Sequence, residues 1–144
     1  MGNVAKKHKD RSVSLIVFYD EKGRILLQDR TSISKAGEEW GFFGGGIEEG
    51  ETPREAVIRE TKEELSIDLD DFEFLGEHRH VYPEGNSLTS YVFISPLKDN
   101  MRKFKLMEGD GMRMFEIKGA KEMNLGKSAY GPLAMINKYI SKKK

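Results

Sequence analysis

GGGIEEGETPREAVIRETKEELSI, residues Gly44–Ile67, joins a run of glycines, a strong helix start and a set of carboxylates at helical spacing. Thr52 is a good N-cap, and Pro53 suits the first helical position because it has no N–H to leave unsatisfied there. Glu55 completes a Thr-x-x-Glu capping box. The pattern predicts a helix from Pro53 to about Leu65, uninterrupted by Gly or Pro. At roughly 100° per residue, Glu60, Glu63 and Glu64 fall within about 100° of arc on one face. Glu60 and Glu64 are then like charges one turn apart, which disfavours an isolated helix by roughly 0.2–0.5 kcal/mol. A divalent cation would turn that repulsion into ligation. Hard oxygen donors select Mg²⁺, with Mn²⁺ as a substitute, over zinc. A lone cluster of this kind is ordinarily a solvated face, with Arg59 pairing to Glu63 at i,i+4.

The wider spacing changes that reading. Gly45, Glu51, Arg59, Glu60, Glu63 and Glu64 follow the pattern Gly, five residues, Glu, seven residues, Arg-Glu, two residues, Glu-Glu, closed by a hydrophobic Ile67. For this composition the fixed positions would match by chance about once in 10⁴ such sequences. The stretch resembles the Nudix (MutT-like) box. Thr61 stands where that family usually has an aliphatic residue, Ser66 where it usually has Gly, and Phe43 where the common form has Pro. These departures bear on stability and loop shape: Thr61 on packing beneath the helix, Ser66 on a helix end where Gly adopts a left-handed conformation more easily.

Outside the box, Ser12–Tyr19 and Arg24–Gln28 read as a β-hairpin across a turn at Asp20–Gly23. Thr31–Glu39 reads as a polar loop over the site, leading to Trp40-Gly41-Phe42-Phe43. After the helix, Phe72–Tyr82 and Leu88–Leu97 read as strands joined by the turn sequence Pro83-Glu84-Gly85-Asn86. Next come Met101–Met107 and a Gly-rich loop before Met112–Ile117, and the chain closes with an amphipathic helix over Pro132–Ile140. His78 and His80 alternate on one strand face with no third ligand nearby, and read as exposed strand residues.

A length of 144 residues fits one domain over residues 1–144, with polar tails at 1–11 and 141–144. There is no apolar run long enough for a transmembrane helix, and the basic N-terminus lacks the hydrophobic region of a signal peptide. Without cysteine there is no disulfide and no thiol catalysis, which fits a cytoplasmic location. The 24 Lys and Arg balance 24 Asp and Glu, so whole-molecule charge indicates neither a polymeric nucleic acid nor a membrane as partner.

The strand and helix order suggests a mixed sheet between helices. The resemblance implies the same fold, an α+β protein with a Nudix-type α/β/α sandwich, and a Mg²⁺-dependent hydrolase. Its substrate would be a nucleoside diphosphate linked to another group, with a small nucleoside triphosphate favoured by the short chain. By the same resemblance the Gly44 carbonyl, Glu60 and Glu64 would hold metal, and Glu63 would be a further ligand or the base. Arg59 would orient the carboxylates, through Glu51. Glu108 is a candidate fourth carboxylate, Arg30 a candidate phosphate contact, and Trp40 a candidate base-stacking residue. Many similar proteins form homodimers. The alternatives are a Nudix-fold nucleotide-binding or regulatory module without hydrolysis, and a hydrolase of ADP-ribose or nucleotide sugars. An isomerase of the isopentenyl-diphosphate type uses a cysteine in that family, and this chain has none.

Overall fold

The computed structural model describes residues 8–97 and 104–143. The elements run β1 (Asp10–Tyr19), β2 (Ile25–Asp29), β3 (Trp40–Gly41), β4 (Phe43–Gly46), α1 (Pro53–Leu65), β5 (Glu73–Val81), β6 (Ser87–Pro96), β7 (Gly111–Phe115), α2 (Ile117–Lys121) and α3 (Tyr130–Lys142). A 3₁₀ turn over Lys127–Ala129 leads into α3. The first three residues of the expected Met101–Met107 segment lie outside the described residues.

The strands form one seven-stranded sheet in the order β3-β2-β1-β6-β5, with β4 added on β1 and β7 on β2. It is mixed: β1 runs parallel to β6 from Asp10↔Ser87 to Tyr19↔Pro96, and antiparallel to β4 from Val13↔Gly46 to Ile16↔Phe43. Alternation along β1 divides its side chains between two cores. Ile16 and Phe18 join Leu26, Phe43, Val57 and Leu65 beneath α1. Leu15 and Val17 join Ile25, Leu27, Leu133 and Ile136 beneath α2 and α3. The sheet therefore lies between helices, as expected.

α1 begins as the sequence predicts. Thr52 Oγ1 accepts from the Glu55 N–H at 3.1 Å, and Glu55 Oε1 accepts from the Thr52 N–H at 2.9 Å. A cap of this kind contributes about 1 kcal/mol. Ser14 Oγ, buried in β1, donates to the Pro53 carbonyl at 2.7 Å and fixes where the helix enters. Val57 and Leu65 are fully buried beneath it, each stabilising by roughly 1.5–3 kcal/mol relative to exposure. Thr61 does not loosen this packing. It is fully buried, and its hydroxyl donates to the Val57 carbonyl at 2.7 Å, one turn back. Ser66 ends the helix at φ 58°, the left-handed conformation expected of a Gly there.

Two expectations are corrected. Asp10 and Arg11 belong to β1 and residues 141–142 to α3, so ordered structure extends into both proposed tails. Residues 1–7 and 144 lie outside the described part. His78 and His80 are half-buried, not exposed, and the His78 ring fills the space left by Gly131 at the start of α3. Among the described residues, no helix is long and apolar enough to cross a membrane.

Candidate functional site

The glycines of β4 bring the strand and α1 together. A Cβ on Gly44 would lie 2.0 Å from the Ser14 carbonyl oxygen, and the residue holds φ 131°, so only Gly fits so close to β1. At Gly45 the obstruction comes from the other side, where a Cβ would lie 2.6 Å from the Glu60 carboxylate. This contrast separates folding from function. Gly44→Ala is expected to destabilise the protein by about 3 kcal/mol, since backbone must yield. Gly45→Ala displaces only a flexible side chain, and is expected to melt near the native temperature while losing about tenfold or more in turnover. Thermal melts alongside steady-state rates test the pair. Native turnover in Gly45→Ala would show that the seat of Glu60 does not matter.

Arg59 organises the carboxylates. Its Nε and Nη2 donate to Glu51 Oε2 and Oε1 at 2.8 and 2.9 Å, a two-pronged pair. Nη2 also donates to the Gly46 carbonyl at 2.9 Å, while Nη1 reaches Glu60 Oε1 at 2.9 Å and Glu63 Oε2 at 3.3 Å. Hydrogen bonding from Arg59, aided by the Glu48 N–H, holds the Glu51 carboxyl down to about 2. The same contacts raise Arg59 further above its usual range.

Glu64 sits in the opposite environment. It is 3% exposed, and its Oε1 accepts from the Gly44 N–H at 3.1 Å. Burial pushes its carboxyl up to about 8, reinforced by the negative charges of Glu60 and Glu108 against the lowering effect of Gly44. A buried carboxylate with two acidic neighbours fits a cation, which would relieve both the desolvation and the repulsion. Among the described residues, no three acidic or histidine side chains stand as a ready-made cation cage. Mg²⁺ does not need one, because it usually takes one or two protein carboxylates and leaves its other positions to water and phosphate oxygens.

Glu108 is exposed, yet its loop is tied to the site. The Met107 N–H donates to the Glu64 carbonyl at 2.8 Å, and the Glu108 carbonyl accepts from Gln28 Nε2 at 2.9 Å. Glu60 and Glu108 both line a cavity of about 750 Å³ on whose walls Arg11, Arg30, Lys35 and Lys127 also lie. An adjoining pocket of about 270 Å³ shares Arg11, Arg30 and Glu38 with it and has an apolar wall of Val13, Leu15, Phe42 and Leu88. The site therefore carries acidic side chains, Glu38 among them, together with basic ones, and joins a pocket with an apolar wall.

The structure brings together Glu51, Arg59, Glu60, Glu63, Glu64, Gly44 and Glu108, and places Arg30 on the walls of the cavity that Glu60 and Glu108 line. Glu63 is the most exposed of the α1 set, at 58% of its side chain. Trp40 lines neither cavity: its ring stands edge-on to Phe115, centroids 4.9 Å apart, within the core beneath α2 and α3. Residues that sequence reasoning misses are Arg11, which reads as part of a polar tail, together with Lys35, Lys127 and Gln28. Extending the Val13, Leu15, Val17 alternation backwards would have found Arg11 on the cavity face. Lys127 lies in Gly126-Lys127-Ser128, which is like the end of a phosphate-binding loop but has Lys121 where the earlier Gly is required; nothing local marks Lys35 or Gln28.

A family profile described as NUDIX domain matches residues 8–133. The 8-oxo-dGTP diphosphatase of Proteus vulgaris is 29% identical over 89 residues, 62% of this chain and 80% of that protein. The RNA pyrophosphohydrolase of Helicobacter pylori (strain P12) is 32% identical over 126 residues, 85% of this chain and 72% of that protein. Some other relatives are spanned over less than half of their length. A MutT NUDIX hydrolase structure from Burkholderia pseudomallei superposes with TM-score 0.72 at 23% identity, over 89% of this chain and 98% of that one.

Proposed function

Because the chain belongs to the NUDIX domain family, as a Nudix hydrolase, we propose that it is a Mg²⁺-dependent pyrophosphohydrolase of nucleoside triphosphates. The observation that supports this best is the mixed charge of the cavity. Carboxylates suited to a cation share its walls with cations suited to phosphates, and the apolar pocket beside them suits a nucleoside. Names among the relatives, an 8-oxo-dGTP diphosphatase in particular, point the same way.

In this reading Glu60, Glu64 and the Gly44 carbonyl hold the cation, with Glu63 as a further ligand. Bound there, it offsets charge on the phosphate oxygens and makes water a better nucleophile. The chain's own groups do the rest. Arg11 and Arg30 seat the phosphates, Arg59 keeps Glu51 and Glu60 in place, and Glu108 accepts the proton that water gives up. Water's oxygen bonds to one phosphorus of the anhydride, and the bridging oxygen leaves with the bonding pair. A carboxylate is a weak base at neutral pH, so its placement matters more than its strength.

The experiment is a panel of 8-oxo-dGTP, the common nucleoside triphosphates, ADP-ribose, a nucleotide sugar and 5′-triphosphorylated RNA. Release of phosphate or pyrophosphate is followed with Mg²⁺ and with EDTA. The expected result is Mg²⁺-dependent cleavage of a free nucleoside triphosphate. Preference for the RNA would favour a second reading, which the basic rim of the cavity and the RNA pyrophosphohydrolase relative support. Tight nucleotide binding without turnover would leave a binding module in place of an enzyme.

A further inference from the structure

We infer that Gln28 is a positioning residue that ties the phosphate-facing Arg30 to the loop carrying Glu108, so that the two take their places together. The inference rests on the roles just given to those two residues. Gln28 is the fourth residue of β2, after Ile25, Leu26 and Leu27, and like them it is fully buried. A buried amide is unfavourable unless both its ends are satisfied.

Both ends are satisfied, each by a part of the site. Oε1 accepts from Arg30 Nη1 at 2.7 Å, and Nε2 donates to the Glu108 carbonyl at 2.9 Å. The flipped amide would set its NH₂ against the guanidinium and its oxygen against a carbonyl, so the network fixes the orientation. The Glu108 loop lies directly on this amide. Gly109 holds φ 88°, and a Cβ there would lie 2.9 Å from Gln28 Nε2 and 2.8 Å from the Asp29 carbonyl. A second tie runs alongside: the Asp110 N–H donates to the Asp29 carbonyl at 3.0 Å, and the Asp110 carboxylate accepts from the Ser32 N–H and hydroxyl, each at 2.7 Å.

Arg30 is otherwise held loosely, by Glu38 at 3.4 Å, and it lines both cavities. An anion that draws on its guanidinium therefore acts on Gln28, and through Gln28 on the peptide of Glu108. Met107, bonded to the main-chain carbonyl of Glu64, ties the same loop to the backbone of the residue that bears the buried carboxylate. Phosphate binding and water activation become one event.

Gln28→Met keeps the volume and removes both hydrogen bonds. On the preferred nucleotide it is expected to lower kcat about tenfold, the worth of one or two buried hydrogen bonds, and to raise KM a few-fold. In the Glu108→Gln background the kcat loss should disappear, because the positioned group is already gone. A merely structural role predicts the same loss in both backgrounds, and that result would overturn the inference. Hydrogen exchange on the unsubstituted protein supplies a test without turnover. Inorganic tripolyphosphate should slow exchange of the Met107 and Asp110 amides about tenfold, and Arg30→Met should abolish the slowing. Tripolyphosphate binding without that protection, or no binding at all, overturns the inference. If no nucleotide is hydrolysed, the proposed function fails, while the exchange experiment still decides the role of Gln28.

Discussion

Glu64→Gln is expected to lower turnover about 10³-fold, roughly 4 kcal/mol of transition-state stabilisation, while making the metal-free protein more resistant to heat at pH 8. The first effect follows from removing a cation ligand. The second follows from burial. In the folded protein the Glu64 carboxyl titrates near 8, against 4.5 for the free group. Between those values the folded protein holds a proton that the unfolded chain releases, so this group's contribution falls as pH rises from about 4.5 to about 8. Gln carries no such penalty at any pH and can still accept from the Gly44 N–H. The stability gap between variant and wild type should therefore be small near pH 4.5 and grow toward pH 8 in EDTA. Added Mg²⁺ should stabilise the wild type more at pH 8 than at pH 5, and the variant little at either. Glu51 acts in a separate window: held down to about 2, it contributes above about 4.5 and loses that contribution as pH falls toward 2. A variant with native turnover, or one less stable than wild type at pH 8 without metal, would contradict this account.

Arg59→Leu should be costly in a different way. The Arg59 side chain is 24% exposed and that of Glu51 13%, so deletion strands a half-buried carboxylate beside two others. The expected loss is about 2 kcal/mol, or roughly 6–8 °C in a chain of this size. kcat should fall about 10²-fold, because Glu60 loses the group that aims it. KM should hardly move, since Arg59 lines neither cavity. Arg59→Lys restores the charge but cannot reproduce the fork that grips both Glu51 oxygens, so it should recover part of the stability and little of the rate. Steady-state kinetics and melting curves on the two variants are sufficient. A native kcat in folded Arg59→Leu would remove the residue from the site's organisation.

What the sequence made legible was mostly local. The capping box, the helix span and the clustering of Glu60, Glu63 and Glu64 depend on contacts within a few positions, and all are present. The hairpin and the strands after the helix follow from alternation and turn chemistry. What was hidden depends on distant partners. Arg11 looks like part of a basic tail because nothing local holds it, whereas its strand is ordered by pairing with Leu88. Gln28 meets Glu108 across 80 positions, and no pattern in β2 announces it. Trp40 misled by proximity. It stands next to the glycines in the chain, but its ring turns to the other core, against Phe115. Thr61 is explained only once its hydroxyl is seen to bond one turn back along its own helix.

The parallel pairing of β1 with β6 sets an order of events during synthesis. The glycine strand and every α1 carboxylate lie before Ser66. Yet β4 is anchored on β1, and β1 completes its ladder only with a strand 77 positions further along, at Asp10↔Ser87. Such long-range closure is slow and comes late. A nascent chain emerging from the ribosome therefore carries its acidic helix for some time with no seat for it. Glu64 is expected to stay in water until Ser87–Pro96 arrives, and Glu108 follows later still. The capacity to gather a cation is thus acquired in the last stage of folding, and a chain truncated before β6 should have none.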